Sequence, residues 1–285
     1  MVDHVMAVAP PSYYQRLDEH RFRPTARTEG AWQPGEQHMA PVSGIVVHAI
    51  EGFLARHRQG EALQISRISF EILGMIAAAD FDVRVEVLRP GRTIELLEAT
   101  VVIAERPVVR ARAWCLSRQD TSAVAGGEPA PMPGADGLDP WLISKVWSGG
   151  FIESVEIRPV PGHGPGRARA WLRTPVDLVA DEPASDLARF VGLVDTANGI
   201  ATRVHPTEWM FPNVDLSMHL YRQPRGSWVG LDTTVVFGAD GVGLTTTTLH
   251  DETGAVGRAE QILTVRPLAA PPGRPGTERR SGSSH

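Results

Sequence analysis

The order of secondary-structure signals in this 285-residue chain repeats itself. Each half reads as a strand pair, one long helix and then four strands. Such a doubling restricts the fold to two equivalent units packed as a pseudo-dimer. In the first half, residues 12–17 and 21–25 read as short strands. Residues 43–57 read as a helix, with Ile45, Val46, Ala49, Ile50, Phe53 and Leu54 at helical spacing. Pro41 precedes this helix and Gly60 follows it. Strands are expected over 65–73, 81–88, 93–103 and 108–116. The second of these alternates cleanly, Phe81, Val83, Val85 and Val87 against Asp82, Arg84 and Glu86.

Residues 119–140 carry Gly126, Gly127, Pro129, Pro131, Pro133, Gly134 and Gly137, the clearest break in composition. The expected organisation is therefore an N-terminal unit over 1–118, a linker over 119–140 and a C-terminal unit over 141–270. Residues 1–12 read as a loose arm. The tail 271–285, rich in Pro, Gly, Ser and Arg, reads as disordered. In the second half, residues 152–158 and 168–173 read as strands. Residues 185–204 read as the second long helix, with Ser185 as its N-cap. Strands follow over 213–222, 228–237, 244–249 and 255–266.

Composition narrows the function classes. Apolar content is 42% and charged content 21%, as in ordinary globular proteins. The balance of 28 basic and 33 acidic residues gives −5, which argues against a nucleic-acid partner. One cysteine, Cys115, excludes an internal disulfide and a Cys-rich zinc site. No apolar run of about 18 residues occurs, so no membrane span is expected. No secretory signal is read at the N-terminus. A cytoplasmic location follows as the expectation.

Polar residues stand inside the C-terminal strands. Asp215 alternates with Val214, Leu216 and Met218. Gln261 shares a strand face with Ala259, Leu263 and Val265. A buried amide without a partner costs about 1–3 kcal/mol. Gln261 therefore needs one, and a carboxylate, an amide and a hydroxyl on neighbouring strands could hold a water. Thr233 and Thr234 supply hydroxyls. The aligned first-half positions are taken as Ser69 for Asp215 and Ala113 for Gln261, so only the second half can carry such a site. Ser217 and His219 invite a Ser-His-Asp reading, but no Gly-x-Ser-x-Gly elbow surrounds Ser217. Asp195, within the second helix, reads as a structural anchor.

The whole pattern resembles the double-hotdog acyl-CoA thioesterases, especially thioesterase II and the actinobacterial proteins like it. Carrying the resemblance are Val87-Leu-Arg-Pro-Gly-Arg-Thr93, Glu98-Ala-Thr-Val, and Arg106-Pro-Val-Val-Arg-Ala-Arg-Ala. In the second half it rests on Phe151-Ile-Glu, Glu156-Ile-Arg-Pro159, Ala170-Trp-Leu-Arg173, Val194-Asp195…Asn198, Val214-Asp-Leu-Ser-Met218 and Arg222-x-Pro…Trp228. It spans residues 12–267. The implied fold is α+β, a double hotdog of two curved antiparallel sheets, each wrapped around one long helix. The implied activity is hydrolysis of an acyl-CoA to fatty acid and CoA, without cofactor or metal. That family holds its water with an Asp, a Thr and a Gln, which here match Asp215 and Gln261, with Thr234 as the hydroxyl. Ungapped alignment places Val236 at the Thr position, so Thr233 and Asp232 remain alternatives. Thr233 and His38 are the expected substrate-binding residues, although a loop histidine in His38's place has an ordinary solvent-exposed reading. Acyl-CoA is the expected partner, and pairing into a homo-oligomer, dimer or tetramer, is implied. The competing function is a non-catalytic double hotdog that binds an acyl chain or acyl-CoA.

Overall fold

The computed structural model describes residues 11–58 and 63–268. Most of the arm expected over 1–12, Gly60 and the tail 271–285 lie outside the described residues. In the first half, β1 (Ser12–Arg16) and β2 (Arg21–Pro24) precede α1 (Met39–His57). Then come β3 (Leu63–Ile72), β4 (Phe81–Arg89), β5 (Ile94–Ile103) and β6 (Arg106–Ser117). In the second half, a short α2 (Gly150–Glu153) precedes β7 (Glu156–Pro159), β8 (Arg167–Arg173) and β9 (Asp177–Val179). Helices α3 (Asp186–Val194) and α4 (Ala197–Ile200) lead to β10 (Trp209–Met210) and β11 (Asp215–Leu220). The chain continues through β12 (Val229–Phe237), β13 (Val242–Asp251), β14 (Gly254–Thr264) and β15 (Arg266–Pro267).

Two separate sheets of equal standing were the expectation; all the described strands but β10 and β15, which pair with each other, instead form one. Thirteen of them run in the order β7-β8-β12-β13-β14-β11-β3-β6-β5-β4-β2-β1-β9. All neighbours are antiparallel except β1 and β9. The reason lies at the seam. β3 and β11 would each be a bare sheet edge in an isolated half, and each covers the other's unpaired backbone groups. Ser217 lies opposite Ser69, and the pairing of Asp215 with Glu71 is mirrored by that of His219 with Arg67. Ser69 lies opposite Arg112 on its other side as Ser217 lies opposite Glu260, which makes Ser217, rather than Asp215, the pseudo-symmetric counterpart of Ser69.

Ile68, Phe70, Leu216 and Met218 are fully buried from the seam strands and face the helices. α1 and α3 pack against each other through glycine. A Cβ on Gly44 would lie 3.0 Å from the Ala188 carbonyl oxygen and 3.1 Å from Gly192 Cα. Ser43 Oγ donates to the Val191 carbonyl at 3.0 Å across the same contact. α1 is therefore buried nearly all round over its first nine residues, which explains its continuous run of small and apolar side chains. It starts at Met39, earlier than the expected residue 43. Pro41 sits in the first turn, where no helical N–H is required.

Three other elements differ from expectation. The second long helix breaks at Asp195 and restarts as α4; Thr196 Oγ1 turns back to the Leu193 carbonyl at 2.7 Å. Residues 150–153 are helical, not strand. Gly150 lies so close to Ala26 that a Cβ there would sit 1.9 Å from its carbonyl oxygen. The stretch 119–140 is irregular, but it straps the sheet's other face. Met132, Ala135 and Leu138 pack with Val160, Trp171 and Trp228, and Trp171 Nε1 donates to the Pro133 carbonyl at 2.6 Å.

Candidate functional site

The break in the second helix delivers a carboxylate to the core. Asp195 is the residue at which α3 stops, and it is 4% exposed. Its Oδ1 accepts Asn213 Nδ2 at 2.7 Å and Gln261 Nε2 at 2.9 Å. The buried amide expected to need a partner therefore has one, donated from β14. Asn213 is fixed in turn, because its Nδ2 also donates to the Asp215 carbonyl at 3.0 Å. Asp195 Oδ2 faces His38 Nδ1 at 3.6 Å.

The histidine's role follows from its helix. His38 caps α1: its Nδ1 accepts the Ala40 N–H at 3.0 Å. A ring nitrogen accepting that bond carries no proton, so the neutral tautomer has its proton on Nε2. The approach of Nδ1 to Asp195 is accordingly a contact and not an ion pair. Electrostatics agree. Burial pushes the His38 imidazole down to about 4. Burial also lifts the Asp195 carboxyl to about 7, against the opposing pull of the Asn213 and Gln261 amides. A carboxylate poised near neutrality is suited to take a proton at pH 7.

Both side chains open onto one cavity of about 350 Å³. Trp32, Met39, Ile72, Ile76 and Met210 form its apolar walls; Asn198 and Asn213 add amides; Gln33, Glu36 and Arg266 stand around it. Behind His38 and Asn198 a pocket of about 20 Å³ continues towards Trp147 and Ile152. Because His38 and Met39 begin α1, the positive end of that helix dipole meets the cavity. Among the described residues, no group of three or more His, Cys, Asp or Glu side chains could hold a metal.

The residues expected from sequence do not meet. Asp215 is on the sheet face away from the helices, and its Oδ1 accepts the Ile262 N–H at 2.7 Å. Thr234 is exposed. Thr233 is buried but bonded to Thr247 Oγ1 at 3.0 Å, and it does not line the cavity. Gln261 reaches Asp195 rather than Asp215. The hydroxyl opposite Gln261 in the sheet belongs to Thr245, and both Thr245 Oγ1 and Gln261 Oε1 are buried without a protein partner. His38 lines the cavity beside Asp195. The residue that sequence reading set aside as an anchor, Asp195, is thus the centre of the cluster. Its available signal was the Asp195–Asn198 pair one helical turn apart.

Pseudo-symmetry leaves one such site. The shift that carries Ser69 onto Ser217 and Gly44 onto Gly192 carries Val47 onto Asp195, Ile65 onto Asn213 and Ala113 onto Gln261. All three first-half counterparts are apolar and buried.

Likeness to solved structures defines the class as a hotdog-fold protein. A thioesterase candidate from Novosphingobium aromaticivorans is 21% identical, with a TM-score of 0.69 over 89% of this chain and 98% of that one. A hot dog fold protein of unknown function from Alicyclobacillus acidocaldarius has a TM-score of 0.69 at 13% identity, over 90% and 96%. Acyl-CoA thioesterase II from Mycobacterium marinum has a TM-score of 0.62 at 16% identity, over 91% and 97%. No curated protein shows significant sequence similarity. Residues 28–116 match the acyl-CoA thioesterase N-terminal domain and residues 127–265 its C-terminal domain. The chain belongs to the acyl-CoA thioesterase family, and is a thioester hydrolase by that membership. No described helix is long and apolar enough to cross a membrane.

Proposed function

We propose that the chain hydrolyses acyl-CoA thioesters to a carboxylic acid and CoA by direct attack of water, with Asp195 as the general base. The observation that carries this reading is a buried carboxyl lifted to about 7 at the edge of a cavity, with one oxygen held by two amides and the other turned to His38. The thioester carbonyl would sit at the start of α1. Asp195 Oδ2 takes a proton as the water oxygen bonds to the carbonyl carbon. The oxyanion that forms is stabilised by the helix end and by a donor such as the His38 Nε2–H. Collapse breaks the carbon–sulfur bond, and the CoA thiolate recovers the proton from Asp195. Gln261 and Asn213 hold the base in place, while Asn198 is positioned to hold the water.

Single-turnover hydrolysis in ¹⁸O-labelled water tests this reading. With Asp195 as base, the released acid carries the label in the first turnover and hydroxylamine traps no acyl-enzyme. Label found in Asp195 instead of the acid would identify a nucleophilic carboxylate. Absence of turnover on every acyl-CoA would favour a binding protein.

A further inference from the structure

The cavity beside Asp195 is small, and Trp32 in its wall is backed by interlocked aromatic rings. Trp32 stands edge-on to Trp147 at 4.9 Å and to Phe211 at 5.4 Å between ring centroids. Phe211 also meets Trp147 at 5.9 Å and Phe237 at 5.9 Å. Trp147 cannot easily turn aside, since its Nε1 donates to the Gly199 carbonyl at 3.1 Å. Trp147 is 6% exposed and Phe211 1%. The extension of about 20 Å³ past His38 is room for little more than one small group.

The other direct way inward is also shut. A long acyl chain would have to pass between α1 and α3, where Gly44 and Gly192 touch and Ser43 is tied to Val191. Two helices in backbone contact leave no gap for a methylene chain. At about 350 Å³ the cavity is at the small end of small-molecule pockets, about 300–1,000 Å³, and it must also take the thioester and the end of the pantetheine arm. The polar Gln33 and Arg266 of its lining suit that arm.

We infer that this thioesterase acts on short, compact acyl groups, and that Trp32 is the residue that sets the limit. The inference rests on Asp195 marking the reacting carbonyl. The acyl group lies against the Trp32 face with its terminus stopped by the Trp32–Trp147–Phe211 wall, so chains of about ten carbons and longer do not bring their carbonyl to Asp195.

The test uses acetyl-, butanoyl-, hexanoyl-, decanoyl- and palmitoyl-CoA below their micellar concentrations, with the matching non-hydrolysable acyl-CoA thioethers. For the wild type, kcat/KM on butanoyl-CoA should exceed that on decanoyl-CoA at least tenfold, and the thioethers should bind in the same order. Trp32→Ala should narrow or reverse that ratio, and Trp32→Leu, a milder change to the wall, should move it the same way. Equal or better use of decanoyl- or palmitoyl-CoA by the wild type would overturn the inference. So would an unchanged chain-length order in both folded variants, or thioether binding that strengthens steadily with length. Should no thioester be hydrolysed, the mechanism fails, and the thioether series still decides the size limit.

Discussion

Gln261 Nε2 donates to Asp195 Oδ1 at 2.9 Å, joining the last long strand to the end of the second helix. The amide does not line the cavity, so it acts on the carboxylate and not on the substrate. Its donated bond favours the ionised form. In Gln261→Ala that support is lost and the Asp195 carboxyl rises from about 7 to a higher value. The acid limb of kcat/KM should move to higher pH, with roughly a tenfold loss at pH 7 and partial recovery at pH 9. A uniform loss at all pH values would make Gln261 merely structural.

Asp195 also leaves a mark on stability. Its folded carboxyl, near 7, lies above the unfolded value, so the native state holds an extra proton between the two and stability falls as pH rises through that range. His38 is held down to about 4, so it stays neutral where the unfolded chain gains a proton, and stability rises with pH between about 4 and 6.5. The two slopes oppose each other in the wild type. Asp195→Asn keeps an oxygen for both amide donors and removes the ionisation. It should be more stable than wild type at pH 8, on the order of 2–4 kcal/mol. Urea midpoints measured from pH 4 to 8 should then lose the falling contribution of Asp195 and keep the rising contributions of the two histidines held down by burial, His38 and His250. A variant less stable at pH 8 would contradict the buried, perturbed carboxyl.

The contact of Gly44 with Gly192 locks the two helices. Gly44→Ala places a methyl group against the α3 backbone at Ala188 and Gly192 and should cost about 1–3 kcal/mol. Chemical denaturation gives the value; no loss would mean that the helices can separate.

A second buried carboxylate holds the strand end away from the cavity. Asp251 accepts Arg222 Nη1 and Nη2 at 2.6 and 2.7 Å and the Thr253 and Arg225 N–H groups. Burial opposes its ionisation, but these donors outweigh it and hold the carboxyl at about 2. Its contribution is present above the unfolded carboxylate value and is lost as pH falls towards 2. Arg222→Ala leaves Asp251 without its bidentate partner and should destabilise by about 2–4 kcal/mol at pH 7, with a smaller penalty near pH 3. Thermal unfolding at both pH values checks this.

Much of the fold could be read from spacing. The alternation of Phe81, Val83 and Val85 and the helical run from Ile45 to Leu54 are local signals. Ser185 does cap its helix, accepting the Ala188 N–H at 2.9 Å while its hydroxyl donates to Glu51 Oε2 at 2.6 Å. The single sheet could not be read this way, because the β3–β11 pairing joins residues far apart in sequence and depends on two edges meeting. The site was half legible. Gln261 showed itself as a polar residue on an apolar strand face. Asp215 on the neighbouring strand is the nearest carboxylate in the sequence pattern, but alternation puts it on the opposite face from Leu216 and Met218. Asp195 was hidden because a carboxylate within an apolar helix reads as a helix residue until the helix is seen to end there.

The most direct test compares thiol release by wild type, Asp195→Asn and Asp215→Ala on butanoyl-CoA, each shown to be folded by circular dichroism. The account predicts that Asp195→Asn loses at least two orders of magnitude in kcat/KM. Asp215→Ala, which loses only its bond to the Ile262 N–H, should stay within threefold of wild type and be destabilised by about 1 kcal/mol. An active Asp195→Asn beside an inactive Asp215→Ala would contradict the account and return the base to the outer face of the sheet.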